Sequence, residues 1–261
     1  MKLKVIGSGS KGNCYLLYNN SEGLILEAGV PFKEVLRATK GKTSHLKACL
    51  ITHEHGDHTN HLKEVLDHGI AAYMTAGTAE TLPARCHSQV QQPTVFDYNL
   101  KNEEERSQLT PWSMFAIGNF MILPFKTVHD AKEPCGYYIY HPEMGFMLFA
   151  TDTAFIPNTF AKLSHILIEC NYDDRLLTAR EDIPESLKKR IRESHQSIDT
   201  CIEALLANDM SITRNVMLIH VSEGDGDKTD FWIRAKKALP EDIELRVATP
   251  GVTIDMNKTP F

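Results

Sequence analysis

The chain has 261 residues, 42% hydrophobic and 24% charged, with a formal net charge of −6. That length can bury a full core and suits a single α/β domain over residues 1–261, since no low-complexity linker divides it. No apolar run reaches membrane-spanning length, Met1–Gly7 lacks a signal-peptide core, and the acidic balance advertises no global affinity for nucleic acid, which leaves only a local basic patch to provide it. The six cysteines form no CxxC pair and several fall in apparent core strands, which points to reduced, buried thiols in a cytoplasmic protein.

In chain order, residues 2–6 and 13–18 read as strands around Gly7-Ser8-Gly9-Ser10-Lys11-Gly12-Asn13. With Ser10, Lys11 and Asn13 this loop has the composition to approach a phosphate, although composition alone favours a plain hairpin turn. Residues 24–29 read as a third strand ending in the carboxylate of Glu27, and Pro31 opens a short helix through Val35 and Leu36. Ala48-Cys49-Leu50-Ile51 is a short apolar run, and Leu62, Val65 and Leu66 recur at helical spacing. That pattern predicts a buried strand, a tight turn and a helix. Between them lies Thr52-His53-Glu54-His55-Gly56-Asp57-His58, at a strand exit, where open α/β folds place their ligands. In extended geometry His53 and His55 point the same way and can share one ion. Gly56 lets the chain turn so that Asp57 and His58 can serve a second. Imidazole and carboxylate suit zinc, and also manganese or iron. The bland alternative is a histidine-rich surface loop, but such a loop seldom follows a buried strand so closely.

A helix to about His68, a strand at 71–74 and a helix from Thr78 are expected next. Residues 83–110 read as surface loops around a strand at 94–98. Strands follow at 112–116, 120–125, 136–141 and 145–150, with Tyr137, Tyr138 and Tyr140 read as core and sheet face. Residues 164–169 form another buried strand, 183–193 and 197–208 read as helices, 228–239 as a further helix, and 243–248 and 252–255 as closing strands. No internal repeat is visible at the residue level.

The histidine loop resembles the HxHxDH signature of the metallo-β-lactamase superfamily. The resemblance implies a four-layer αββα sandwich and three further ligands at strand ends. His129, Asp152 and His220 each follow an apolar run in the required order. The implied assignment is His53, His55 and His129 on one metal and Asp57, His58 and His220 on the other, with Asp152 bridging two ions, zinc first and manganese next. In the superfamily the carboxylate before Ala28-Gly29 is usually an aspartate that buttresses the histidine loop. Here it is Glu27, one methylene longer, and the same supporting role is expected from further back.

Read locally, His195-Gln196-Ser197 is an ordinary helix start with Ser197 as cap. The phosphodiesterases of the superfamily, however, carry His-x-Ser/Thr at this place, where the histidine protonates the leaving oxygen. An alkoxide leaving group needs such an acid. The closer resemblance is to the YycJ/WalJ group of compact nucleases and covers most of the chain. It is carried by Gly7–Asn13, by His129-Asp130-Ala131-Lys132-Glu133-Pro134-Cys135-Gly136-Tyr137, by Glu169-Cys170-Asn171-Tyr172-Asp173, by Leu187-Lys188-Lys189-Arg190-Ile191 and by His220-Val221-Ser222-Glu223. Departures are Glu27, Tyr172 where a histidine is usual, and Gln196-Ser197-Ile198-Asp199 where the group reads LSNE.

The resemblance implies two-metal phosphodiester hydrolysis by a bridging hydroxide, with Asp57 orienting the attack and His195 as general acid. Lys189, Arg190 and Ser222 join Ser10, Lys11 and Asn13 as weaker candidates for the non-reacting phosphates. A basic run such as 188–192 is usually a solvated helix face, but its closeness to His195 puts a phosphate role on a level with that reading. The expected substrate is a DNA 5′ end, attacked 5′ to 3′. The rival is a small cyclic nucleotide, as in superfamily members including phage proteins that destroy defence signals, whose pocket often spans a homodimer. Ribonuclease Z-like RNA processing ranks below both, since no protruding arm is evident. Thioesterase or β-lactamase activity is disfavoured by His195, and a binding protein without turnover by the full ligand set.

Overall fold

The structure is a computed structural model and describes residues 1–94 and 114–258. Its strands alternate between two apolar faces. In chain order they are β1 (Lys2–Gly7), β2 (Cys14–Tyr18), β3 (Gly23–Leu26), β4 (Leu46–Leu50), β5 (Ala72–Tyr73) and β6 (Val90–Gln91), then β7 (Phe115–Ile117), β8 (Phe120–Lys126), β9 (Cys135–His141), β10 (Gly145–Ala150), β11 (Leu163–Glu169), β12 (Asn215–Ile219), β13 (Glu244–Val247) and β14 (Thr253–Asp255). They form two seven-stranded sheets, in the orders β14-β1-β2-β3-β4-β5-β6 and β7-β8-β9-β10-β11-β12-β13. Read in those orders, the first three pairings of each sheet are antiparallel and the last three parallel. The two halves thus share one strand plan, which the residue-level sequence does not reveal.

Period-2 side-chain alternation sorts the apolar residues into separate layers. Leu24 and Leu26 of β3, Ala48 and Leu50 of β4, and Met217 and Ile219 of β12 meet between the sheets. Their alternates point outward. Ile25 and Cys49 pack under α1 (Phe32–Ala38) and α3 (Leu62–Asp67), through Phe32, Val35, Leu62, Val65 and Leu66. Val216 and Leu218 pack under α7 (Ile198–Leu206) and α8 (Lys228–Ala238), through Ile198, Cys201, Leu205, Phe231 and Ala235. Three apolar seams between four layers make the αββα sandwich. Each fully buried Leu, Ile or Phe contributes roughly 1.5–3 kcal/mol. The six cysteines are free and buried. Among the described residues no helix is long and apolar enough to cross a membrane.

Several boundaries differ from the sequence reading. The helix expected through His68 is two helices, α2 (Gly56–Thr59) and α3, and α4 (Ala76–Glu80) starts before Thr78 because Thr75 caps it by accepting from Thr78 N at 3.2 Å. The strand expected at 112–116 is β7, and apart from Thr94 the strand expected at 94–98 lies outside the described residues. A helix that the pattern did not announce, α5 (Asp174–Ala179), is capped by Asp173, which accepts from Arg175 N at 2.8 Å. α6 (Glu185–Ser194) begins after Pro184, and Ser197 caps α7 as read.

Candidate metal centre

The carboxyl end of β4 feeds Thr52–His55 in extended conformation into α2, and the turn is clamped from below. Asn13 N donates to Asp57 O at 2.7 Å and Ala28 N to His58 O at 2.8 Å. A Cβ on Gly29 would lie 1.7 Å from Asp57 O, so only glycine permits this approach. The hydroxyl of Thr52 holds His53 Nδ1 at 2.9 Å, which turns Nε2 inward. Glu27, fully buried with φ 67°, accepts from Thr52 N at 3.3 Å and faces His58 Nδ1 at 3.4 Å. It therefore supports the loop as expected, reaching His58 and the Thr52 amide.

The second sheet brings its groups from the opposite side. His129 follows β8 and its Nδ1 donates to Ser194 O at 2.7 Å, so Nε2 faces inward. Asp152 follows β10 and His220 follows β12, both at left-handed φ (45° and 54°). Ser8 Oγ receives the His220 amide at 3.0 Å.

The seven predicted side chains converge. His53, His55 and His129 form one group, and Asp57, His58, Asp152 and His220 another, each with ligand atoms within 4.8 Å of one another. Asp152 stands between them. Its Oδ2 lies 3.9 Å from His53 Nε2 and 3.8 Å from His129 Nε2, while Oδ1 lies 3.4 Å from both His58 Nε2 and His220 Nδ1. Asp57 Oδ2 closes the second group at 3.2 Å from His58 Nε2 and 3.1 Å from His220 Nε2.

This donor set fits two divalent cations. His53 Nε2 is buried without a hydrogen-bond partner, a costly state for a ring nitrogen unless an ion takes its lone pair. Burial, together with the neighbouring His58, holds the His53 pKa well below the usual histidine range, and burial lowers that of His129 as well, so both lone pairs are free. Burial opposes charge on His220 too, but Asp152, Asp57 and Glu169 overcome it and push the pKa up to about 10. Burial resists ionisation of Asp57 and Asp152, yet the adjacent histidines keep both carboxylates well below their ordinary range. Cations entering here would replace protons on His58 and His220 and meet ionised carboxylates.

His195 lies beside the second group. Its Nδ1 is 2.7 Å from Glu169 Oε1, and its ring is 5.0 Å from that of His129 and 5.6 Å from that of His220. Burial lowers its pKa, but the Glu169 charge and hydrogen bond reverse this and raise it. Glu169 was missed as a site residue. It ends β11 fully buried, holds His195 and also His220 Nδ1 (3.0 Å), and accepts from Thr153 N at 2.8 Å and Gln196 N at 3.1 Å. The available signal was an acid closing an apolar strand, as Glu27 does.

The weaker substrate candidates separate. Asn13 is buried behind the cluster, with its amide 3.1 Å from Asp57 Oδ2, and so positions that carboxylate instead of meeting solvent. Ser222 is engaged within its own turn, donating to Asp225 Oδ2 at 3.2 Å. Lys11 and Ser10 are exposed, Lys11 pairing with Glu223 at 2.8 Å. Lys189 is exposed and 3.7 Å from Glu193, whereas Arg190 pairs at 2.5 Å with Asp130, whose Oδ1 is 3.4 Å from His129 Nε2. Of the basic run, Arg190 is therefore the member tied to the rim.

Fold and cluster together define a metallo-hydrolase architecture. The family model described as "Beta-lactamase superfamily domain" matches residues 25–221, and the chain belongs to that superfamily. It is similar to exodeoxyribonuclease WalJ of Streptococcus pneumoniae D39, at 26% identity over 238 residues covering 87% of this chain and 84% of that protein. It is also similar to exodeoxyribonuclease YycJ of Bacillus anthracis, at 22% over 251 residues covering 92% and 90%. Among solved structures, the metallo-β-lactamase fold protein YhfI from Bacillus subtilis shares the fold, with a TM-score of 0.65 at 15% identity over 97% of this chain and 99% of that one.

Proposed function

We propose that this single-domain protein is a two-metal phosphodiesterase of the cytoplasm that degrades DNA from a 5′ end, a 5′-to-3′ exonuclease. The observation that carries the reading is His195, set beside the cluster with its Nδ1 held by Glu169, so that Nε2 is outside that hydrogen bond. The two relatives named as exodeoxyribonucleases support the choice of DNA.

Two divalent ions bound here, zinc or manganese, would activate a water and polarise a phosphoryl oxygen. The ligands would be His53, His55 and His129 for one ion and Asp57, His58 and His220 for the other, with Asp152 shared. Asp57, steadied by Asn13, orients the attacking water. His195 supplies a proton from Nε2 to the departing oxygen. Glu169 fixes the ring so that Nε2, and not Nδ1, meets the substrate. Arg190 gives the rim a cation for a neighbouring phosphate.

Metal analysis of the purified protein should find two ions per chain, and Asp57→Ala should lower that number. His195→Ala should keep the metals and lose about 10²–10⁴ in turnover. Activity on 5′-phosphorylated single-stranded DNA should exceed that on cyclic mononucleotides under matched metals. Faster cleavage of the cyclic substrates would replace the exonuclease reading with a signalling-nucleotide phosphodiesterase, and an unimpaired His195→Ala would remove the acid.

A further inference from the structure

The crossover from β12 to β13 leaves a groove that the site does not use. α8 starts eight residues after His220 at the cluster end of the sandwich and runs back along β13, an edge strand parallel to β12. A cavity of about 650 Å³ lies between them, lined by Lys228, Trp232, Lys236, Glu244 and Arg246 with apolar β13 residues. Lys228, Trp232 and Lys236 recur every four residues, so they form one stripe with a step of about 6 Å. Trp232 is 42% exposed, a large apolar surface to leave in water.

The partners of these side chains restrict what can dock. Trp232 Nε1 donates to Leu245 O at 3.1 Å, and Lys236 Nζ to Ile243 O at 2.9 Å and Glu241 O at 2.7 Å. The carbonyl of Leu245 in β13 and that of Ile243 just before it are thus taken, which disfavours a peptide strand extending the sheet there. Among the described residues neither Lys228 nor Lys236 has a carboxylate ion-pair partner, and in the lining only Arg246 is neutralised, by Glu244 at 2.8 Å. Three cations against one carboxylate, in a chain of net charge −6, favour a polyanion. The indole, pinned by its N–H, offers a ring for planar groups. Cations interleaved with an aromatic platform suit single-stranded nucleic acid.

We infer that the α8–β13 groove binds the single strand beyond the nucleotide being cut, leading it away from the metal cluster. The inference rests on the nuclease reading and extends it from the scissile bond to the trailing strand. Stacking on Trp232 and contact of phosphates with Lys228 and Lys236 would hold several nucleotides, so affinity should grow with strand length, whereas a dinucleotide should not reach the groove.

The test compares a 30-nucleotide single strand with a 5′-phosphorylated dinucleotide as substrates. Trp232→Ala should raise KM on the long strand about 5- to 100-fold with kcat retained, and Trp232→Phe should recover most of the loss. Lys228→Ala, an exposed change that spares the fold, should flatten the dependence of log affinity on log salt by about 0.7. None should alter dinucleotide turnover. In a Trp112→Phe background, oligothymidylate should quench Trp232 fluorescence. Unchanged KM and absent quenching in an enzyme that does cut DNA would overturn the groove assignment alone, and equal slowing of both substrates would make the groove a structural brace and overturn it too. A wild type that hydrolyses cyclic nucleotides but no DNA strand would end both readings.

Discussion

The two sheets follow the same strand plan but place opposite chemistry at matching strand ends. β3 and β10 occupy equivalent positions, and each is followed by an acid at left-handed φ, Glu27 at 67° and Asp152 at 45°. In the first half that acid stays beneath the loop and supports His58. In the second it reaches the centre and faces both ligand groups. The next strands reverse the arrangement. β4 ends in the histidine loop, whereas β11 ends in Glu169, which supports His195 and His220. The first half therefore brings its candidate ligands from one strand end, after β4, and the second from three, after β8, β10 and β12, each set supported by a glutamate of its own sheet, and the cluster is complete only where the sheets meet.

Asp152 is the side chain on which both groups depend, so its removal should have the largest effect. Asp152→Ala should abolish turnover, with a loss of about 10⁴-fold or more, and should reduce both metal occupancies in elemental analysis. Retention of two tightly held ions would show that the halves bind independently and would break the comparison.

The two supporting glutamates should differ by a smaller margin. Glu169 holds two imidazoles and two backbone amides, and Glu27 one imidazole and one amide. Their charge states diverge accordingly. Burial pushes both pKa values up, but only at Glu169 do His195 and its other partners win and lower it, while Glu27 remains raised. Glu169→Gln should cost about 10- to 100-fold, and Glu27→Gln about 10-fold or less, in kcat at saturating metal and in metal affinity read from a metal titration. An equal cost would mean that the loop end is as fragile as the acid end.

The candidate ligands were legible through the resemblance, which called for a histidine, an aspartate and a histidine beyond the histidine loop, and His129, Asp152 and His220 answer it in order, each closing an apolar run. His53, Asp152 and His220 share that signature. Glu169 has it too, but a strand-terminal acid does not declare whether it points to solvent, and only the convergence of β11 with β12 brings it to His220. The common strand plan was hidden for the same reason. Period-2 alternation reports burial, while the pairing of β14 with β1 joins segments some 250 residues apart. The break between α2 and α3 escaped because Leu62, Val65 and Leu66 all lie within α3, and their helical spacing does not mark where the preceding turn ends. The basic run read as one face, yet Lys188 is buried and donates to Thr178 O, while Arg190 swings to Asp130. Side-chain partners of that kind are long-range facts.

The smallest effect concerns the other end of β11, where a histidine must stay neutral. His165 is fully buried, with Nε2 3.2 Å from Met144 O and Nδ1 2.9 Å from Asn215 Nδ2, so it donates once and accepts once. Burial lowers its pKa to about 4. The unfolded chain takes up this proton below about pH 6.5 and the folded chain only below about 4, so its contribution is complete above 6.5 and declines as pH falls through that window. His165→Gln can keep both hydrogen bonds without titrating. Between pH 6.5 and 5.5 the wild type should therefore lose about 1 kcal/mol more unfolding free energy than the variant, read from urea denaturation at each pH. Parallel pH profiles would mean that His165 takes up its proton as readily in the folded chain as in the unfolded one. In that case the contrast between a cluster end that gathers charge and a distal end that excludes it would not hold for this strand.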